Sequence, residues 1–243
     1  MRLLVICSQN SVLLLLLQYT SITNFLASDF STMGGSSTLQ SLAPKNIYII
    51  GAQCTGKTSL VKALENAFRE SLGTTPPAIV KEVARSVLKT HGFTAKDITS
   101  DPGRCLQLQT LILEAQFSTE REALAKNGWI ISDRSGMDPI IYASRHIGSE
   151  AVELMVSSDY WKELRDRMSH SLVFVCETVE AWLVSDGVRL MPRDLQDWSE
   201  YDEEFCRMLD SAGIHYQMIP RSMQNLEDRV AHVWSEWKKA YAP

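Results

Sequence analysis

Apolar and polar segments alternate along most of the chain in a way that predicts strands followed by helices. Short apolar runs with the length and β-branched content of strands lie at residues 46–50, 78–82, 129–133, 172–176 and 215–219. Between them, apolar residues recur at helical spacing. The predicted helices cover residues 60–69, 83–91, 102–127, 135–148, 150–170, 197–212 and 226–240. Strands that alternate with helices predict an α/β fold whose sheet is mainly parallel and covered on both faces.

The first 45 residues lack this alternation. Residues 1–17 hold two apolar runs separated by a polar break, and residues 28–41 are rich in serine, threonine and glycine. The apolar part is too short and interrupted for a membrane span, and the polar part buries little surface. We therefore predict a mobile tail over residues 1–45 and one domain over residues 46–243. The tail is either a weak targeting segment or an extension upstream of a true start near Met33.

The first predicted strand runs directly into a glycine-rich motif. Gly51 and Gly56 are separated by four residues and followed by Lys57 and Thr58, which is the pattern of a phosphate-binding P-loop in the context that it requires. Glycines let the backbone N–H groups converge on a polyphosphate at the positive end of the next helix. We expect ATP, or GTP as the alternative, to bind the loop with Mg²⁺. The predicted nucleotide-binding residues are Gly51, Ala52, Gln53, Cys54, Thr55, Gly56, Lys57 and Thr58.

Polar residues also close the second and third predicted strands. Glu82 ends one strand and Arg85 follows it, and Asp133 ends the other strand and Arg134 follows it. Asp133 is predicted to orient Mg²⁺ together with Thr58, or to accept a proton from an attacking hydroxyl, for which Glu82 is the alternative. Hydrolytic ATPases usually carry a second acidic residue directly after this aspartate. Arg134 stands there instead, which favours phosphoryl transfer to a bound acceptor.

A third cluster lies between two predicted helical stretches, where glycine and proline surround two arginines. Residues 186–194 therefore resemble a flap, and Arg189 is predicted to be catalytic and Arg193 to contact the nucleotide. The catalytic candidates as a set are Lys57, Asp133, Arg134, Arg189 and Glu82. On the long predicted helix, Gln109 and Gln116 are candidates for reading a base or an amide.

Charge and cysteine content narrow the possible partners. The formal net charge is −5, and no dense run of lysine and arginine stands out, so nucleic acid is not the expected partner. The five cysteines are scattered and form no Cys-x-x-Cys pair. This pattern is typical of a reducing compartment and argues against a disulfide framework or a zinc site. We therefore expect a cytoplasmic protein.

Several of these motifs together resemble a known family. They are Gly-Ala-Gln-Cys-Thr-Gly-Lys-Thr at residues 51–58, Glu-Val-Ala-Arg at 82–85, Ile-Ser-Asp-Arg-Ser at 131–135 and Trp-Leu-Val-Ser-Asp-Gly-Val-Arg at 182–189. The set is similar to the P-loop kinase-type domain shared by the ribosylnicotinamide kinase part of NadR regulators and the TRPL-translocation-defect proteins. The resemblance implies a P-loop NTPase fold with strand order 2-3-1-4-5, an arginine-bearing lid, and ATP or GTP as ligand. By position, Lys57 and Thr58 match the phosphate and magnesium residues, Asp133 the strand-three acid and Arg189 the flap arginine.

Two hypotheses about function follow. The first is a kinase that moves the terminal phosphoryl group of ATP to a small, nucleoside-like acceptor with Mg²⁺. The second is a nucleotide-dependent switch that binds a protein or a membrane phosphoinositide, since Asp133 and Gly136 also fit the Asp-x-x-Gly pattern of GTPases. The guanine-reading Asn-Lys-x-Asp motif of GTPases is absent from the sequence. The first hypothesis is therefore preferred.

Overall fold

Five parallel strands form one sheet in a computed structural model of the protein, which describes residues 44–72, 76–184 and 190–241. The strands are β1 (Ile47–Ile50), β2 (Ala78–Val80), β3 (Ile130–Asp133), β4 (Leu172–Cys176) and β5 (Gln217–Ile219). They lie in the order β2-β3-β1-β4-β5, and every neighbouring pair is parallel. The predicted α/β class and strand order are therefore confirmed. Residues 1–43 lie outside the described ranges, so the predicted tail stays a prediction.

Helices cover both faces of the sheet. Within the described ranges they are α1 (Lys57–Leu72), α2 (Ala84–His91), α3 (Ala95–Ser100), α4 (Pro102–Asn127), α5 (Met137–His146), α6 (Ser149–Ser157), α7 (Asp159–Ser169), α8 (Leu195–Ala212) and α9 (Leu226–Tyr241). A 3₁₀ turn at Glu180–Trp182 follows β4. No helix in the described part of the chain is sufficiently long and apolar to span a membrane.

The central strand β1 is buried on both faces, which explains its uninterrupted apolar sequence. Because successive side chains of a strand point to opposite faces, Ile47 and Ile49 pack in the core with α1 and α9. Tyr48 and Ile50 pack in a second core with α4, α5 and α8. In register, Ile49 lies beside Asp133 of β3, so the end of β1 meets the strand-three acid.

An aromatic cluster fills the first of these cores. The Phe68 ring of α1 lies 4.4 Å from the Trp234 ring of α9, centroid to centroid, and Trp237 stacks on Trp129 at 5.7 Å. Trp234 and Trp237 are each only 2% exposed. The apolar face predicted for the last helix is therefore a core face, and it attaches α9 to α1.

Three local features differ from the predicted elements. The stretch predicted as one helix at residues 150–170 is divided between α6 and α7, because Ser158 adopts an extended conformation and its Oγ accepts a hydrogen bond from the Trp161 N–H group. The short helix α3 was not predicted; a capping box between Thr94 and Asp97 begins it. Between β4 and the predicted flap the sequence predicts a helical stretch, and the described residues there form a 3₁₀ turn.

The long helix α4 lies where it was predicted. Asp101 caps its start by accepting a hydrogen bond from the Arg104 N–H group, and Gly128 ends it in a left-handed conformation. Its buried face carries polar as well as apolar side chains, including Gln109, Gln116 and Glu120. Buried polar groups need hydrogen-bond partners, and those of Gln116 and Glu120 include Ser132 of β3, Tyr48 of β1 and Arg167 of α7.

Candidate functional site

Two glycines shape the loop between β1 and α1. Gly51 has a φ of +127° and Gly56 a φ of +79°, conformations that residues with a Cβ atom rarely adopt. A Cβ atom on Gly51 would lie 2.6 Å from the carbonyl oxygen of Cys176, at the end of β4. The loop therefore packs against the neighbouring strand so closely that only glycine fits at position 51.

Lys57 is the first residue of α1, and its side chain folds back over this loop. Its Nζ donates hydrogen bonds to the carbonyl oxygen of Ala52 and to Thr55 Oγ1, the latter at 3.2 Å. Burial, with a smaller contribution from the nearby charge of Arg134, lowers the pKa of Lys57 to about 8. The loop thus holds a cation at the amino end of α1, where an anion is favoured.

Thr58 and Asp133 place two oxygen ligands beside the loop. Thr58 Oγ1 donates a hydrogen bond of 2.6 Å to Asp133 Oδ2, and Asp133 is only 3% exposed. A hydroxyl and a carboxylate are hard oxygen donors of the kind that Mg²⁺ prefers when phosphate oxygens and waters complete its shell. The donor set that the structure brings together therefore fits the metal predicted from the sequence.

Arg134 joins the ends of β2 and β3. It has a φ of +82°, a strained conformation for a residue other than glycine, and its guanidinium contacts Glu82 at 2.8 Å and Asp138 at 3.0 Å. Burial favours a neutral Glu82, but Arg134 and a hydrogen bond from Arg85 outweigh it and lower the pKa of Glu82 to about 2. Burial raises the pKa of Asp138, against the opposing charges of Arg134 and Lys57. Sequence reasoning did not identify Asp138, which lies in the first turn of α5.

Two cavities open beside this cluster, and Glu82 and Arg134 line both of them. The phosphate cavity, which is bounded by residues 54–59, Asp133 and Arg229, has a volume of about 390 Å³. The α4 cavity, which lies between α4, α5 and the residues after β2, has a volume of about 80 Å³ and mainly apolar walls. Glu82 and Arg134 therefore lie between a cavity whose lining suits an anion and a cavity whose lining suits a largely apolar molecule.

Gln53 and Cys54 lie in the loop between β1 and α1 and make contacts that the sequence motif does not predict. The Gln53 side chain accepts a hydrogen bond from the Tyr142 hydroxyl and donates one to the Leu190 carbonyl oxygen, both at 3.2 Å. It lines the α4 cavity, whereas its predicted role was in the nucleotide site. Cys54, which has a φ of 61°, donates from Sγ to the Val184 carbonyl oxygen at 3.3 Å.

Of the two arginines predicted to lie in the flap, the structure describes Arg193 and not Arg189. Arg189 lies outside the described residues, as do residues 186–188 of the segment predicted as a flap. Arg193 is described: its side chain is 82% exposed, and its guanidinium pairs with Asp197 at 2.8 Å near the start of α8. It does not line the phosphate cavity. Its predicted nucleotide contact therefore stays a prediction.

Arg229 of α9 is a buried cation that sequence reasoning missed. It is 1% exposed, and it donates hydrogen bonds to the carbonyl oxygens of Thr55 at 2.8 Å and Met223 at 2.7 Å. Its guanidinium lies 4.5 Å from the centroid of the Trp182 ring, and burial lowers the pKa of Arg229. The sequence does hold a signal, since position 229 interrupts the apolar face of the last helix with a charge.

The two glutamines predicted to read a base or an amide both reach the α4 cavity. Gln109 is 2% exposed and Gln116 is 1% exposed, and both line its walls. They are therefore buried against a cavity, in contrast to the exposed position that is common for helical glutamine.

Comparison with known proteins identifies relatives of this arrangement. Residues 46–229 match the family described as AAA domain (AAA_28). No match was found among curated proteins. A structure of NadR in complex with NR is similar with a TM-score of 0.63 and 18% identity, covering 83% of this chain and 52% of that chain. NadR in complex with NAD and AMP-PNP gives a TM-score of 0.58 and 17% identity, covering 81% and 50%.

The chain thus spans about half the length of the NadR chains that it resembles. At this level of identity the likeness shows a shared fold, and the family match includes the loop, the residues ending β2 and β3, and Arg229. The protein belongs to the AAA_28 family of AAA domains, and its fold is the P-loop kinase fold of NadR.

Proposed function

We propose that the protein is a kinase that transfers the terminal phosphoryl group of ATP, in the presence of Mg²⁺, to a hydroxyl of a small nucleoside-like acceptor. The observation that carries this proposal is the shared wall of the two cavities, where Glu82 and Arg134 face both. Phosphoryl transfer requires that a phosphate site and an acceptor site meet at one point. GTP is the alternative phosphoryl donor.

On the phosphate side, the loop N–H groups and Lys57 would hold the outer phosphates. Thr58 and Asp133, whose side-chain oxygens lie 2.6 Å apart, would hold Mg²⁺. When bound there, Mg²⁺ neutralises charge on the phosphate oxygens. Arg134 lines the phosphate cavity and would stabilise the negative charge that develops on the transferring group.

On the acceptor side, Glu82 is the better candidate for the group that accepts the hydroxyl proton. Asp133 already accepts the Thr58 hydroxyl, whereas Glu82 lines the α4 cavity. A pKa of about 2 keeps Glu82 ionised, so it can accept a hydrogen bond and orient the nucleophile. A weak base is sufficient where the transition state is loose, because positioning and electrostatics then supply most of the catalysis.

The lining of the α4 cavity supports a nucleoside-like acceptor. Its apolar walls suit a planar ring, and the amides of Gln109 and Gln116 suit a polar substituent on that ring. The NadR structure similar to this chain contains NR. Nicotinamide riboside is therefore the first acceptor to test, followed by the common nucleosides.

The test is acceptor-dependent release of ADP by the purified chain with Mg·ATP and a panel of nucleosides that includes nicotinamide riboside. We expect turnover with at least one acceptor, and a loss of about 100-fold or more in the Lys57→Ala and Glu82→Gln variants. Lys62→Ala is the matched control, because Lys62 lies on the same helix and is exposed. Absence of acceptor-dependent ADP across the panel, with folded protein that binds ATP, contradicts the proposal.

The switch hypothesis rests on the glycine of the Asp-x-x-Gly pattern, and the geometry offers a different reason for that glycine. A Cβ atom on Gly136 would lie 2.7 Å from Leu164 Cδ1 of α7, so Gly136 permits close packing between α5 and α7. A preference for GTP, with nucleotide-dependent binding to phosphoinositide liposomes and no acceptor chemistry, is the result that favours the switch.

A further inference from the structure

Gln116 uses both hydrogens of its amide inside the protein. Its Nε2 donates to Glu120 Oε1 at 2.8 Å, one turn further along α4, and to Ser132 Oγ at 3.0 Å, on β3. A primary amide has two N–H donors, so this nitrogen has none left for a ligand. The side chain nevertheless lines the α4 cavity.

Glu120 determines which end of the Gln116 amide faces it. Glu120 is fully buried, and its Oε2 accepts hydrogen bonds from the Tyr48 hydroxyl and from Arg167 Nη1, each at 2.7 Å. Burial raises the pKa of Glu120, whereas Gln116, Tyr48 and Arg167 all favour the charged carboxylate. A carboxylate paired with arginine only accepts hydrogen bonds, so Gln116 must present its nitrogen to Glu120.

The Gln116 carbonyl oxygen is therefore the part left for the cavity. Among the described residues, the hydrogen bonds of the Gln116 side chain are those that its nitrogen donates. The Gln116 oxygen is not among the polar atoms that are both fully enclosed and without a hydrogen-bond partner. Burying an unpaired carbonyl oxygen is costly unless a ligand or water donates to it. This oxygen is held in place by a network that reaches across α4, β1, β3 and α7.

We infer that Gln116 is a specificity-determining residue that selects acceptors carrying an N–H or O–H donor on the ring that enters the α4 cavity. This inference rests on the proposed kinase function and adds which hydrogen-bonding group the acceptor ring must carry. A carboxamide or an exocyclic amine satisfies the Gln116 oxygen. A carboxylate repels it, and a ring without a substituent leaves it unpaired.

Two matched pairs of nucleosides test this inference, because the members of each pair differ at the donor group. They are nicotinamide riboside with nicotinic acid riboside, and adenosine with purine riboside. Affinity is measured by calorimetry without ATP, and turnover is measured separately as acceptor-dependent ADP. We expect the donor-bearing member of at least one pair to bind about 10- to 100-fold more tightly, which corresponds to one buried hydrogen bond and the repulsion that it replaces.

The Gln116→Met variant should lose this preference, since methionine has a similar volume and no carbonyl oxygen. Gln107→Met is the matched control, because Gln107 lies on the same helix and is exposed, and it should keep the preference. The Glu120→Gln variant is a second test. A neutral amide at position 120 can donate to the Gln116 carbonyl, so Gln116 can turn its nitrogen to the cavity and shift the preference toward nicotinic acid riboside.

The outcomes separate this inference from the proposed function. A preference in binding that Gln116→Met abolishes supports the inference even where no ADP forms, in which case the kinase proposal fails alone. Turnover without any preference, or a preference unchanged in folded Gln116→Met and Glu120→Gln proteins, overturns the inference and leaves the kinase proposal standing. Failure of all four nucleosides to bind also overturns it.

Discussion

At the scale of single residues, the buried Lys57 makes nucleotide binding depend on pH. The pKa of Lys57 is lowered to about 8, so the side chain is charged below that pH and increasingly neutral above it. A triphosphate binds the charged form, which means that affinity is greatest below the pKa and falls as the pH rises through it. We expect the ATP dissociation constant from calorimetry to increase by up to about 10-fold per pH unit above pH 8.

The Lys57→Met variant shows whether the pH dependence of ATP affinity comes from Lys57 or from other titrating groups. The variant should bind ATP more weakly at every pH, because one charge–phosphate contact is lost, and its affinity should change little between about pH 7.5 and 9.5. A wild-type affinity that is constant across the same range contradicts the assigned contact between Lys57 and the phosphates.

At the scale of elements, Arg229 connects α9 to the phosphate-binding loop. It bonds to the Thr55 carbonyl oxygen in the loop and stacks on Trp182 after β4, and a Cβ atom on Gly56 would lie within 3.2 Å of both side chains. Arg229→Met removes these hydrogen bonds while keeping much of the volume. We expect ATP affinity to fall about 10-fold, which corresponds to one or two hydrogen bonds that order the loop.

The matched control for this prediction is Arg207→Met, since Arg207 is 64% exposed and pairs with Glu204 on the surface of α8. It should leave ATP affinity unchanged. Arg229→Lys should recover part of the loss, because an ammonium group can replace one of the two carbonyl contacts. Equal ATP affinities for the wild-type and Arg229→Met proteins would show that Arg229 does not order the loop.

The elements also show what the sequence could and could not predict. All five strands were predictable because β-branched runs such as those of β1 and β4 are buried on both faces and contiguous. The break between α6 and α7 was not, since apolar spacing continues through it and only the Ser158 side chain marks the new start. The six residues of α3 form less than two turns, too few for a periodic signal.

The candidate site likewise contains residues that the sequence could predict and residues that it could not. Lys57, Thr58 and Asp133 were predictable because local motifs after adjacent strands specify them, and the strand register brings them together. Arg229 and the Thr55 carbonyl that it contacts are 174 positions apart, and Gln53 and the Leu190 carbonyl are 137 apart. Such contacts depend on tertiary packing, which no local pattern encodes. The same holds for the α4 cavity, whose walls come from six separate stretches of chain.

At the scale of the whole molecule, the arrangement of two cavities on either side of Glu82 and Arg134 predicts that nucleotide and acceptor bind together. The phosphate cavity belongs to the loop, α1 and α9, whereas the α4 cavity belongs to α2, α3, α4 and α5. Ligands in separate cavities do not exclude one another. We measure the acceptor affinity by calorimetry with and without saturating Mg·AMP-PNP. We expect the nucleotide either to change the acceptor affinity by less than about 5-fold or to make acceptor binding tighter.

This prediction distinguishes transfer between two bound substrates from a single shared site. If nucleotide and acceptor occupied one cavity, saturating Mg·AMP-PNP would weaken acceptor binding in proportion to its concentration. The Arg134→Gln variant provides the internal test, because it leaves Glu82 and Asp138 without their shared cation at the boundary between the cavities. Arg85 still pairs with Glu82 in this variant, but the wall of the phosphate cavity loses one positive charge. This loss should weaken AMP-PNP binding more than acceptor binding, since the triphosphate is charged and the acceptor is neutral. Equal weakening of both ligands would mean that Arg134 maintains the fold of the site and does not act on phosphate charge.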